Sequence, residues 1–417
     1  MEGRKRFMRW CLAIVSIALA IRIVWAIAVP VMPISDCAAY DRFAHSIADG
    51  KGHAWPDGKL TAYWPVGTPL LYSLVYRLNI PGYAPVVVLN VAMGAAVVAL
   101  TIAVARQWFD RKTALTAGWL AAFWPSQIQF TTVIASETPF LVFLLAALLA
   151  WQWPGKRPWR QGVCAGVFLA GASYIRPTAL LIPFVIAVIE FGRHHSVRRM
   201  LSTVVPMLII MAAIIAPWSI RNTLLFGRFT LISTNGGTNT WMGNNPDTTG
   251  FYQRVDPNDE TLKNLTEADR DKELGRRAMS YITEYPGRFA IRSITKFARL
   301  HERETIGVAW NIDGLENRYP AWTKLFLKIV SQVYWMAMLV LGIVGIGALI
   351  TRTGIISTLT HPATAIWMYF SAIHAITVIQ DRYHFASIPC IAILAAYATQ
   401  IMIVRQTHFN NPLEHKC

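Results

Sequence analysis

Charge is scarce in this sequence: 15% of its 417 residues are Asp, Glu, Lys or Arg, against 54% hydrophobic. That ratio excludes a soluble cytosolic enzyme and a disordered chain, both of which need more ionised surface. Cysteine is also sparse, at five residues. Cys11, Cys164 and Cys390 fall in apolar runs and Cys417 in the tail, so only Cys37 faces outward. No disulfide and no cysteine-based metal motif follow from that spacing. There is no Gly-rich phosphate-cradling loop, no His-Glu zinc motif, no Ser nucleophile elbow and no internal repeat. These absences disfavour ATP-driven transport and serine hydrolysis.

Long apolar runs are what the sequence does have, with a mean hydropathy of +0.38. The 16 Trp, 19 Phe and 14 Tyr suit a surface that meets lipid tails and headgroups. About ten stretches meet the length and composition of a membrane-spanning helix. They lie near 11–30, 84–105, 114–132, 137–153, 161–175, 178–191, 201–219, 325–350, 362–379 and 385–404. The sequence therefore predicts an all-α integral membrane protein. It divides into an N-terminal membrane module (1–219), an insert (220–323), and a C-terminal membrane module with its tail (324–417).

The net charge of +16 comes from 39 basic and 23 acidic residues, and its placement argues for a membrane protein rather than a nucleic-acid partner. Arg4, Lys5, Arg6 and Arg9 precede the first span. Further basic groups follow the second span (Arg106, Arg111, Lys112), the fourth (Lys156, Arg157, Arg160) and the sixth (Arg193, Arg198, Arg199). Arg352 follows the eighth, and Arg405 and Lys416 the tenth. Both termini are thus expected in the cytoplasm. The first span lacks a small-residue cleavage site and reads as a permanent anchor.

The first long external loop opens with an amphipathic helix over 35–50, capped by Ser35 and closed by Gly50, with Ala39, Tyr40, Phe43, Ala44 and Ile47 on one face. Asp36 and Tyr40 share a face, from which Asp41 is turned away. A second interfacial helix follows around Leu70 to Leu78. The insert begins with an Asn- and Gly-rich stretch that reads first as turns, then has helical patterns at 266–284, with Thr266 as cap, and at 287–302.

A transfer reaction at the outer surface has no nucleotide supply and needs a lipid-linked donor. It requires a carboxylate base, cations for a phosphate leaving group, and amides or aromatics for a sugar. Asp36 and Glu137 are the candidate acids; each reads equally as a helix-start charge. Arg176 and Arg382 are the near-membrane cations suited to a phosphate. Their alternatives are snorkelling for Arg176 and an ion pair with Asp381 or Glu137 for Arg382. His384 reads as a hydrogen-bonding surface residue. Asn235, Asn239, Trp241, Asn244 and Asn245 suit sugar binding through amides and ring stacking, and Tyr40 faces the same side as Asp36.

Taken in order, these residues form a pattern. It runs Asp36-x-x-x-Tyr40, the Pro-rich interfacial helix, Ser136-Glu137-x-Pro139-Phe140, Arg176-Pro177-Thr178-Ala179-Leu180-Leu181, Pro217-Trp218-x-x-Arg221-Asn222, Gly243-Asn244-Asn245-Pro246 and Arg382-Tyr383 with Pro389. The pattern resembles the bacterial GT-C glycosyltransferases of the protein O-mannosyltransferase and aminoarabinose transferase superfamily. The resemblance implies a GT-C-type bundle in the bacterial inner membrane and an inverting transfer at the periplasmic face from a polyprenyl-phosphate sugar. The acceptor would be a lipid, glycan or protein. It further implies Asp36 as general base, Glu137 as the acid organising acceptor or metal, and Arg176, Arg382 and Tyr383 near the lipid phosphate. Many members carry an Asp-Glu pair where this chain has Asp36-Cys37, which leaves a divalent cation open. The rival readings are a flippase of polyprenyl-linked sugars, and a non-catalytic partner subunit.

Overall fold

The apolar runs become helices. The computed structural model describes residues 2–410, with side chains to Ile403; the side chain of Arg405, together with Lys416 and Cys417, lies outside the described residues. Among the described residues the only β-pairings are two isolated bridges, Ala54 with Leu60 and Phe251 with Ile379.

The chain rises through α1 (Glu2–Ala28) into a long loop holding α2 (Ser35–Ala48) and α3 (Gly67–Tyr76). It then runs through α4 (Ala84–Trp108), α5 (Arg111–Ala122), α6 (Pro125–Gln129), α7 (Glu137–Trp151), α8 (Pro158–Ile175), α9 (Ile182–His194) and α10 (Val197–Phe226). The second long loop holds α11 (Gly236–Gly243), α12 (Glu260–Lys263), α13 (Glu267–Glu284), α14 (Pro286–Leu300), α15 (Ile306–Ala309) and α16 (Ile312–Glu316). Last come α17 (Trp322–Thr353), α18 (Ile355–Leu359), α19 (Pro362–Ile376) and α20 (Ile388–Asn410). Six stretches among the described residues are long and apolar enough to cross a membrane: Glu2–Ala28, Ala84–Trp108, Pro177–His194, Val197–Phe226, Trp322–Thr353 and Tyr383–Ile403. The remaining apolar segments fold as helices that fall short in length (α5 with α6, α7 and α19) or in apolar content (α8). Both long loops gather at one end of the bundle, the site end.

Local chemistry explains the departures from the simple pattern. The run 114–132 is broken at Phe123 and Trp124, because the residue before a proline is pushed out of the helical region and Trp124 precedes Pro125. Buried Arg22 of α1 answers the break, donating from Nη1 to the carbonyls of Ala18 (3.1 Å) and Ala122 (3.4 Å). Helices α8 and α10 approach closely because Gly162 and Gly166, four apart, face α10: a Cβ at Gly162 would sit 2.0 Å from the Thr203 carbonyl oxygen. Helix α20 is surrounded by protein, with Ile391 through Ala396 all buried.

Three expectations are corrected. Ser35 does not cap α2: Ile34 holds that position, no side chain caps the helix, and Ser35 has φ of 51°. The Asn- and Gly-rich stretch is not only turns, since 236–243 forms α11, docked on α13 where Gly237 lets the backbones meet. His384 is buried rather than at the surface, stacked on Trp335 at 4.2 Å with Nδ1 at 3.0 Å from the Leu300 carbonyl oxygen.

Candidate active site

Helix α2 lies across the site end because its stripe of Ala39, Tyr40, Phe43, Ala44 and Ile47 is buried beneath it. That orientation turns Asp36, in the first turn, toward the bundle axis. Asp41 goes the other way and is bound to α3 and the chain beyond it, accepting from Tyr76 Oη and from Tyr83 Oη at 3.0 Å. Gly50, at φ of 78°, then lets the chain leave α2.

Four charged side chains from four distant segments converge there. Arg382, buried just before the turn that leads into α20, donates from Nη2 to Asp36 Oδ2 and from Nη1 to Glu137 Oε1 at 3.5 Å. Its Nε donates to Gln380 Oε1 at 2.8 Å. Arg176, at the C-terminus of α8, donates from Nη2 to Glu137 Oε1 and from Nε to Ser136 Oγ at 2.9 Å. Two carboxylates and two guanidinia thus form one chain, Asp36–Arg382–Glu137–Arg176. Burial alone would weaken the charged form of Arg382, but Glu137 and then Asp36 outweigh it and hold the guanidinium above its usual range. Burial, reinforced by Asp36, raises the Tyr40 hydroxyl, and burial raises the Cys37 thiol. Trp310 lies under Arg382, with its ring centroid 4.5 Å from the guanidinium carbon.

The network opens on a cavity of about 440 Å³. Asp36, Tyr40, Arg176, Arg382, Tyr383, Asn235 and Asn239 all line it. Glu137 lies behind that wall, fully buried between the two arginines. Trp241 and Asn244 are not in the lining; Asn244 Nδ2 instead donates to the carbonyls of Thr240 and Ile376, each at 2.9 Å. Asn245 Nδ2 likewise donates to the Trp241 carbonyl at 2.9 Å.

The lining also includes Tyr63, Trp64, Tyr252, His374, Gln380 and Asp271, which sequence reasoning did not select. Asp271 reaches the cavity from α13, with Oδ1 accepting from the Thr238 amide at 2.7 Å and hydroxyl at 3.0 Å. Burial raises its carboxyl above the ordinary range. The small-residue pair Gly236-Gly237 was the signal available for this contact, because only a glycine lets α11 seat on the Asp271 backbone.

A divalent cation does not fit the donor set. Asp36 and Glu137 already hold guanidinium groups, Cys37 occupies the neighbouring position as a buried thiol, and no group of three metal-ligating side chains occurs among the described residues.

Residues 64–220 match the family described as dolichyl-phosphate-mannose-protein mannosyltransferase, a span that includes Glu137 and Arg176 but neither Asp36 nor Arg382. No curated protein matches the chain. Among solved structures, the chain is similar to the Archaeoglobus fulgidus oligosaccharyltransferase tethered to an acceptor peptide, with a TM-score of 0.58 and 16% identity over 97% of this chain and 51% of that one. It is similar to the same organism's oligosaccharyltransferase AglB in complex with an inhibitory peptide and a dolichol-phosphate, with a TM-score of 0.57 and 15% identity over 98% of this chain and 52% of that one. A third likeness is to the first-named oligosaccharyltransferase in complex with Zn and sulfate, with a TM-score of 0.57 and 16% identity over 95% of this chain and 50% of that one. The chain spans about half the length of these structures, and what it shares with them is the fold. The family match covers residues 64–220, less than half of the chain, and is a likeness of that segment.

Proposed function

We propose that the protein is an inverting glycosyltransferase that moves a sugar from a polyprenyl-phosphate donor to a lipid, glycan or protein acceptor, at the periplasmic face of a bacterial inner membrane. The observation that carries this reading is the Asp36–Arg382–Glu137–Arg176 chain facing a cavity lined with aromatic and amide side chains. The basic short loops at the opposite end support the orientation, with both termini in the cytoplasm.

In this reading the donor phosphate enters beside Arg176 and Arg382 and competes for their guanidinia. Asp36, released from Arg382, takes the acceptor proton as the acceptor oxygen attacks the anomeric carbon from the face opposite the phosphate. The bond to the phosphate oxygen breaks, its electron pair leaves with the phosphate, and the two arginines offset that charge. Glu137 keeps both arginines in place. Tyr40, Tyr383, Asn235 and Asn239 bound the sugar, and the insert closes over it. The dolichol-phosphate in the AglB complex and the acceptor peptide tethered to the Archaeoglobus fulgidus oligosaccharyltransferase support the donor and acceptor classes.

The test is to incubate purified, lipid-reconstituted protein with a panel of polyprenyl-phosphate sugars and follow release of free polyprenyl phosphate. Release from one donor, lost in Asp36→Asn, is the expected result. Redistribution of an intact lipid-sugar between leaflets, with no release, would replace this reading with a flippase.

A further inference from the structure

Helix α14 is amphipathic with the wrong side out for a helix in water. Lys296 is 1% exposed, whereas Ile291 and Ile294 are 70% and 72% exposed. The buried ammonium donates to the carbonyls of Thr377 (2.7 Å) and Gly243 (3.2 Å) and to Asn244 Oδ1 (3.2 Å). Arg292 Nη1, one turn earlier, donates to the Asn245 carbonyl at 2.7 Å. Ala290, Phe297 and Ala298 extend the outward apolar face. A water-facing helix does the reverse, burying isoleucine and exposing lysine. Leaving an isoleucine in water forgoes the burial free energy that an apolar surrounding would return.

The partners of α14 also give its depth. Lys296 is level with Thr377, just beyond the site end of α19. His301, immediately after α14, is level with residues far down that helix: Trp367 Nε1 donates to His301 Nε2 at 3.1 Å, and Ser371 Oγ lies 3.2 Å from the same atom. Trp367 is nine residues before Ile376, about 13 Å along the axis at 1.5 Å per residue. On α17, Trp335 Nε1 donates to the His301 carbonyl at 2.8 Å, thirteen residues and about 20 Å from the helix start at Trp322. The chain then climbs back, because Arg318 Nη1 donates to the Ile27 carbonyl at 2.9 Å, at the site end of α1.

Irregular backbone at membrane depth survives only when protein satisfies it. The tip meets that condition. Gln332 Nε2 donates to the Glu302 carbonyl at 2.8 Å, and its Oε1 accepts from the Glu304 amide at 3.1 Å. The Glu304 carboxyl accepts from Trp124 Nε1 at 2.7 Å and from Ser126 Oγ, at the break between α5 and α6. Glu302 and Arg303, exposed at the tip, lie 3.8 Å apart as a pair. At the other end of α14, Arg288 lies over the Tyr285 ring at 5.1 Å, an aromatic–basic combination suited to headgroups.

We propose that residues 286–321 form a re-entrant hairpin that enters the half of the bilayer at the site end, with Ile291 and Ile294 against lipid acyl chains. The inward polar face of α14 then fastens the 243–245 segment and Thr377, beside the cavity, to an element seated in the membrane.

The test is nitroxide labelling at Ile294→Cys, and in turn at each position from 290 to 298, with Cys11, Cys164 and Cys417 replaced by Ser and the full chain reconstituted in phosphatidylglycerol–phosphatidylethanolamine vesicles. Collisional relaxation by oxygen is expected to exceed that by a water-soluble nickel chelate several-fold at 291 and 294, to alternate with helical period along α14, and to reverse at Ser280→Cys on α13. Preference for the nickel chelate at 291 and 294 would place α14 in water and overturn the proposal. Protection from both reagents would mean that a protein surface covers the face, and would overturn it equally.

Discussion

Arg382 and Asp36 lie 346 residues apart in sequence, yet the guanidinium of one binds the carboxylate of the other at the mouth of the cavity. The bond holds a candidate base in check until something competes for the arginine. It also ties the turn before α20 to α2, so that the site exists only once both ends of the chain are in place.

Asp36→Asn should remove turnover and leave the fold intact, because Arg382 keeps Glu137 as a partner. Polyprenyl-phosphate release is expected to fall at least about 100-fold, in the range of a lost general base, while donor affinity stays within about threefold. Single-turnover rates and a donor-binding isotherm on the same preparation measure both. Wild-type turnover in the variant would falsify the role.

Arg176→Gln and Arg382→Gln should separate binding from stability. Each is expected to weaken donor binding about tenfold or more, as loss of a charge-assisted contact to phosphate does. Arg382→Gln leaves Asp36 and Glu137 facing each other with one guanidinium fewer, at a cost of about 3–5 kcal/mol for a broken buried pair. Its thermal unfolding midpoint should therefore lie below that of Arg176→Gln. Equal midpoints would mean that Arg382 is not the keystone of the network.

Gly162→Ala should push α8 away from α10, since its Cβ meets the Thr203 carbonyl oxygen at 2.0 Å. Overpacking of this kind costs about 1–3 kcal/mol. Because Arg176 ends α8, activity should drop along with stability even though Gly162 lies at the far end of that helix. The informative comparison is Gly171→Ala, whose Cβ would lie nearest the ring of Phe143, a side chain rather than backbone. A smaller loss there supports backbone contact as the cause, and equal losses count against it.

His53 should make the loop fold pH-sensitive. Burial pushes its imidazole down to about 4, with Nδ1 held at 3.1 Å from the Thr61 carbonyl oxygen. A depressed folded value means that stability is complete above the unfolded value of about 6.5 and is lost as the pH falls from there toward 4. Between pH 7 and pH 4.5 the unfolding midpoint of the native chain should fall further than that of His53→Asn. Parallel curves would show that some other group carries the acid sensitivity.

Six of the ten expected spans could be read directly, because lipid imposes a one-dimensional rule on length and apolar content; the other four form helices that fall short of it. The insert could be read only in part. Thr266 caps α13 as its sequence implies, accepting from the Asp269 amide at 3.1 Å, but the sequence shows no sign that α14 turns its apolar side outward. Amphipathic periodicity gives the two faces of a helix without saying which medium each one meets.

The same division holds at the site. Asp36, Glu137, Arg176 and Arg382 stand out in the sequence as charges beside apolar runs, where an ion is costly without a partner or a task. That cost follows from composition alone. Which partner each one takes depended on how α2, α7, α8 and the segment before α20 pack, and so did the exclusion of Trp241 and Asn244 from the cavity and the arrival of Asp271. The sequence by itself determined a helical membrane protein with acids and arginines at one end. Only the tertiary structure decided their pairing and the cavity they share, because ion pairs and cavity walls are made by residues brought together across hundreds of positions, and no local periodicity encodes that.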